Sequence, residues 1–273
     1  MLRFRRIAKP RLSSLIWKKP SAQKNYAYLF NSIGNISGCA IWSIGSGLYV
    51  TSRLHRSTRF CALFLLAVLL IIAGPASWAL HFDRALVVQH AERKYGRIGV
   101  ARLEQWLTVL DRGAGIVDPR ARLATVNDFW NRHIQEGEDR DIWKQEDYWA
   151  TPLETLARGR GDCEDFVIGK YFSLVHLGVE PEKLRLIYVR AQVGGKSVAH
   201  MVLGYYERPD SEPLILDNLR HSIRPASERR DLTPVFSFNA EGVYAAGGVQ
   251  GAVDRISRWQ GLLSRMQQEG FQP

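Results

Sequence analysis

Apolar positions recur at helical spacing between residues 83 and 110, at Leu86, Val87, His90, Tyr95, Ile98, Leu103, Trp106, Leu107 and Leu110. This predicts a helical stretch, which Gly96 and Gly99 are expected to split in two. After the loop 112–115, Asp118 and Pro119 form a helix start, with Asp as cap and Pro at the first helical position. That helix is expected to run to about Ile134, with Leu123, Val126, Phe129 and Trp130 on one side. Residues 135–150 are polar and acidic, then aromatic at Trp143, Tyr148 and Trp149. Core or rim packing is the first expectation for Trp143 and Trp149; a place in a substrate groove is the second. Thr151-Pro152-Leu153-Glu154 starts a further helix, ending in the glycine-rich turn 158–161.

A mostly apolar run follows, from Phe166 to Leu177, with Gly178 as its stop. Asp162 stands at the N-cap position, and Asp165 three residues later makes a weaker form of the capping box. Cys163 is therefore expected at the first helical position. Then come three β segments, Leu184–Ala191, His200–Tyr206 and Leu214–Asp217. The last two read as a hairpin around 207–210. A four-residue loop pairs Tyr206 with Ser211, and in that register His200 stands directly opposite Asp217. Residues 218–273 read as a peripheral wrap ending in an amphipathic helix, Val253–Gln268. The order of helices, cysteine helix and antiparallel strands predicts an α+β fold with one core.

Charge changes the picture of the first 80 residues. They hold 11 of the 37 basic residues and none of the 27 acidic ones, leaving 26 against 27 in 81–273, a net of −1. The basic character belongs to this leader, and the body has no cationic surplus that would point to nucleic acid. Within the leader, Phe60 to Ala73 is an uninterrupted apolar run of 14, preceded by Arg53, Arg56 and Arg59 and followed by small residues at Ser77 and Ala79. Basic, apolar and small in that order describe a secretory signal, with an uncleaved membrane anchor as the alternative. Either form places the body, 81–273, in the periplasm. Residues 1–50 are an unusual extension to such a signal, and translation is expected to start near residues 46–55 at a non-ATG codon.

The body contains a single cysteine, Cys163; Cys39 and Cys61 lie in the leader. At a helix start, free N–H groups and the dipole stabilise a thiolate, the reactive form of the side chain. Three carboxylates in four positions, Asp162, Glu164 and Asp165, argue against a thiol buried in a core. Cys163, His200 and Asp217 are then a nucleophile, a base and an orienting carboxylate. His176 lies 13 residues along the cysteine helix, about 20 Å by helical rise, too far to act as base.

Gly161-Asp-Cys-Glu-Asp-Phe166, Ala199-His-Met-Val202 and Leu216-Asp-Asn218, in that order, with Asp147-Tyr-Trp-Ala-Thr-Pro152 upstream, resemble the bacterial transglutaminase-like cysteine proteinases. The resemblance covers about 83–245 and is strongest to the LapG-type periplasmic adhesin-cleaving proteases. It implies a papain/transglutaminase-like core and a Cys163–His200–Asp217 triad. It also implies cleavage of a large surface adhesin between two alanines near its N-terminus, releasing biofilm cells. An inner-membrane cyclic-di-GMP receptor would be the controlling partner. Carboxylates beside a nucleophile oppose its ionisation, and a bound Ca2+ removes that conflict. The resemblance points to calcium at this block, with Asp162, Glu164 and Asp165 as ligands. A transglutaminase-type acyltransferase on the same three residues is the alternative activity.

Overall fold

The structure, a computed structural model, describes residues 80–239, 242–245, 248–251 and 257–273. The leader with its expected signal or anchor lies outside the described residues, as do residues 253–256 of the expected C-terminal helix. Helix α1, Arg84–Gly113, starts under Asp83, whose carboxylate accepts from the Ala85 and Leu86 N–H groups. It breaks at Gly96 alone (φ 64°, ψ −163°), a conformation open to glycine; Gly99 stays helical. Helix α2, Pro119–His133, starts under Asp118. Helix α3, Pro152–Arg158, carries the complete capping box of Thr151 and Glu154 and ends at Gly159 in the left-handed region, φ 67°. Helix α4, Cys163–His176, starts at the cysteine.

Helices α1 and α2 pack on α4 through polar as well as apolar contacts. The indole N–H groups of Trp106 and Trp130 donate to one hydroxyl, Ser173 Oγ, at 2.8 and 3.0 Å. Gly169 on α4 admits the Trp130 ring: a Cβ there would lie 2.4 Å from it. His176 ends α4, its Nδ1 2.8 Å from the Leu80 carbonyl, so it has the terminal role that its spacing predicts.

The main sheet has seven strands: β1 Leu184–Val193, β2 Lys196–Tyr205, β3 Leu214–Leu216, β4 Arg224–Pro225, β5 Leu232–Asn239, β6 Gly242–Ala245 and β7 Gly248–Gly251. Their order is β7-β6-β5-β1-β2-β3-β4, with every pairing antiparallel. Strands β1 and β2 outrun their predicted limits because they close a two-residue hairpin at Gly194 and Gly195, φ 54° and 77°, the backbone that a type I′ turn needs. The expectation that 218–273 is only a wrap is corrected, since β5 pairs with β1 inside the sheet. Pro234 hides this strand in the sequence, because proline argues against an interior strand. The chain accommodates it where the β1–β5 register shifts, beside Val189.

One face of the sheet joins the helices in the main core through Leu184, Leu186, Met201, Leu203, Leu216 and Phe238. The other face carries a smaller cluster that includes Ile187, Val202, Ile215, Ala226 and Leu232. Helix α5, Ser257–Gln268, buries Trp259, Leu262 and Met266, and Trp259 stacks on Phe172 of α4 at 5.7 Å. The helix and the residue after it also hold the segment before the cysteine: Arg258 pairs with Asp147, Arg265 donates to the Trp149 carbonyl, and the Thr151 hydroxyl donates to Glu269. Among the described residues no helix is long and apolar enough to cross a membrane.

Candidate functional site

Four local features set Cys163 in place. Gly159 turns the chain out of α3, residues 160–161 pair in parallel with 135–136, Asp162 caps α4 by accepting from the Asp165 N–H, and the helix begins at the next residue. Gly161 is needed at that approach, because a Cβ there would meet the Asp165 side chain at 2.8 Å. The thiol is half-buried and opens into a cavity of about 540 Å³ that His200, Tyr188, Glu136, Glu138 and Lys196 also line. The Met201 N–H points at the sulfur, and the thiol donates to Glu164 Oε2 at 2.7 Å. Burial pushes the thiol well above its ordinary range. The Glu164 and Asp162 charges add to the rise, and the Met201 N–H opposes it.

His200 Nε2 lies 2.8 Å from Asp217 Oδ1, both side chains buried. The expected register is corrected. The ladder pairs Leu203 with Leu216 and Tyr205 with Leu214, two residues away from direct opposition of His200 and Asp217. A slip of two preserves the face, where a slip of one would have reversed it. His200 therefore shares its face with Val202, and Asp217 with Ile215, and they meet on the diagonal. Asp217 also accepts from the Leu219 N–H at 3.0 Å and from Arg229 Nη2 at 2.7 Å. Burial alone would raise its pKa; His200 and Arg229 outweigh that and hold the carboxyl at about 2. An ionised carboxylate only accepts, so the imidazole proton sits on Nε2 and Nδ1 is the nitrogen left to take a proton.

The acidic block divides in a way its sequence did not indicate. Asp165 is fully buried and accepts from the Ala150 N–H at 2.8 Å, so it does not reach back to complete a capping box. The expectation that these acids avoid the interior is corrected at this residue. Carboxylate oxygens of Asp139, Asp162 and Asp165 lie within 4.8 Å of one another. Burial first, and then the neighbouring carboxylates, push all three upward: Asp139 to about 6, Asp162 to about 10 and Asp165 well above its usual range. Asp139 Oδ1 and Asp165 Oδ2 are buried and find no hydrogen-bond partner among the described residues. Converging oxygens with unused lone pairs fit a hard divalent cation. Glu164, also expected as a ligand, accepts from the thiol, and Asp139 joins Asp162 and Asp165 in the cluster.

The sequence reading missed Asp139 and Arg229. Asp139 was one acid among several in 135–150, and no spacing tied it to Asp162; Arg229 carried no signal at all. Trp149 is a core residue, stacked on Phe238 at 5.8 Å, and Trp143 lies against Tyr148 at 4.9 Å; neither lines the cavity.

Lys170, two turns below the cysteine on α4, is fully buried, and its Nζ has no hydrogen bond among the described residues. Burial lowers its pKa to about 7, against a smaller upward pull from Asp217. Between pH 7 and the ordinary lysine value of about 10.4, the unfolded chain binds a proton that the folded chain does not. Stability therefore rises with pH across that window, and the cost of burial is complete below it. Lys170→Met should stabilise the protein at pH 6 by roughly 1–4 kcal/mol and remove the rise between pH 7 and 10. Melting curves at pH 6 and pH 9 test this; a variant less stable than the parent at pH 6 refutes it.

A model of the bacterial transglutaminase-like cysteine proteinase family, BTLCP, matches residues 117–230. Comparison with curated proteins gives no match. Among solved structures, LapG of Legionella pneumophila is 38% identical, with a TM-score of 0.58, over 69% of this chain and 99% of that one. The EGTA-treated form of the Legionella protein matches at 37% identity and TM-score 0.60, over 69% and 100% of the two chains. Its calcium-bound form matches at 38% and 0.57, over 66% and 97%.

Proposed function

Because this chain belongs to the bacterial transglutaminase-like cysteine proteinases, we propose that it is a periplasmic endopeptidase that cuts the N-terminal region of a large surface adhesin and so releases biofilm cells. Cys163, His200 and Asp217 are its catalytic residues, and an inner-membrane cyclic-di-GMP receptor is its controlling partner. The observation that carries this reading is a cysteine at the N-terminus of α4 facing the same cavity as a histidine whose far nitrogen is held by a buried carboxylate. The basic and apolar leader, ending in small residues, supports export, cleaved or anchored.

The reaction follows from these groups. His200 Nδ1 takes the thiol proton, and the sulfur attacks the scissile carbonyl carbon. The Cys163 N–H, free at the helix start, donates to the developing oxyanion. The imidazolium gives its proton to the leaving amine, which departs and leaves a thioester. Water, deprotonated by His200, then releases the acid and restores the thiol. Asp217 stays ionised throughout and holds the Nε2 proton. Asp139, Asp162 and Asp165 would hold Ca2+, the ion named for the Legionella structure. Bound there, it would offset the negative charge that adds to the effect of burial in raising the thiol pKa.

The test is direct. The purified protein with Ca2+ is incubated with an adhesin N-terminal fragment carrying an Ala-Ala pair, and products are read by mass spectrometry. Cleavage between the alanines is the expected result; an intact fragment overturns the reading. Incorporation of a labelled primary amine in place of hydrolysis would make the activity acyl transfer.

A further inference from the structure

Asp217 lies one residue past the end of β3. Its carbonyl is held by Asn131 Nδ2 at 2.8 Å. Its side chain is fully buried, so both carboxylate oxygens need donors. Oδ1 has two, His200 Nε2 and the Leu219 N–H. Oδ2 has one, Arg229 Nη2 at 2.7 Å. Arg229 is itself 1% exposed. It is gripped from behind by Asp231, whose two oxygens accept from Nε at 3.0 Å and Nη2 at 2.8 Å, the fork geometry that a lysine cannot reproduce. Asp231 in turn lies 3.6 Å from Arg220. Lys170, from α4, also faces Asp217.

We propose that Arg229 is a positioning residue: its guanidinium locks the rotation of the Asp217 carboxylate, and through it the tautomer and orientation of His200. The inference rests on the reading of His200 as the base. Without Arg229, Oδ2 is a buried charged oxygen with no donor. The carboxylate then turns or takes up a proton, and in either state it ceases to hold the Nε2 proton along a fixed line. Asp231 and Arg220 extend the lock to the surface, so Asp217 is clamped from the sheet on one side and from the 226–232 segment on the other.

The experiment compares the full chain with Arg229→Met, Arg229→Lys and Asp231→Asn. In Arg229→Met, kcat on the cleaved fragment should fall by about 10- to 100-fold, the range typical when an outer partner of a functional histidine is removed. KM should change by less than about twofold, because Arg229 does not face the cavity. The downfield NMR signal of the His200 Nε2 proton should disappear or move, while methyl signals of the core stay in place. Arg229→Lys should recover part of kcat, since a point charge still reaches Oδ2. Asp231→Asn, which leaves Arg229 in place but weakens its anchor, should shift the same signal by less, and it decides the matter if Arg229→Met fails to fold. An unmoved His200 signal in the folded variants overturns the proposal, as does a loss of kcat that only tracks the folded fraction. The NMR signal needs no substrate, so absence of peptidase activity in the parent would refute the proposed function and leave this result standing.

Discussion

Cys163→Ala should abolish peptide cleavage, with a loss in kcat of about 10⁴–10⁶-fold, the scale on which removal of a nucleophile acts. The substitution deletes one sulfur at the first position of α4, where Asp162 still caps the helix. The thiol is half-buried and donates one hydrogen bond, to Glu164. Alanine is also the best helix former, so the melting temperature should stay within a few degrees of the parent. His200→Ala should lose activity on a similar scale, because both proton transfers pass through its Nδ1. Asp217→Asn should keep a small residue of activity, since it disturbs tautomer and orientation without removing a reacting atom. Cleavage assays on these three proteins, each with a melting curve, check the prediction. Full activity in Cys163→Ala would end the enzyme reading.

Excess EGTA should suppress cleavage and lower the melting temperature, and added Ca2+ should restore both. Asp139, Asp162 and Asp165 bring three carboxylates together behind the cysteine, two of them with buried oxygens that no donor satisfies. Without a cation these groups hold protons or repel one another, and burial first, with Glu164 and Asp162 adding to it, raises the thiol pKa. An ion that binds only the folded chain adds about 2.7 kcal/mol at a hundred times its dissociation constant. For a domain of this size that corresponds to about 5–10 °C in melting temperature. Mg2+ should not substitute, because it demands a tighter octahedral shell and gives up its water reluctantly. Asp139→Asn should copy the chelator. It is a cleaner test than Asp162→Ala, which also removes the cap of α4 at a cost of about 1 kcal/mol. Full activity in excess EGTA with unchanged melting would reduce the three acids to caps and core hydrogen-bond acceptors.

The helix starts were legible because each is decided within four residues. Asp118-Pro119, Thr151 with Glu154, and Asp162 all cap where the chain order places them. The same local logic put Cys163 at a helix N-terminus. The facing of His200 and Asp217 was also legible, though not their register: parity along a strand survives a slip of two, while the length of the turn that sets the register is a matter of packing. The partners that complete the site were not legible. Asp139 reaches the acidic cluster, and Arg229 the Asp217 carboxylate, only because separate segments close over α4 and over the second face of the sheet. Strand β5 was hidden by Pro234 until a register shift in the sheet made room for it. Asp165 was read as a helix-start acid because its own neighbourhood says so. Its burial is decided by the Ala150 N–H and by Asp139, on segments 15 and 26 residues away. The sequence by itself determined the helix starts and the place of Cys163 at the first position of α4. Only the tertiary structure decided which buried charges meet, because the energy of a buried charge depends on neighbours that the chain brings together from a distance.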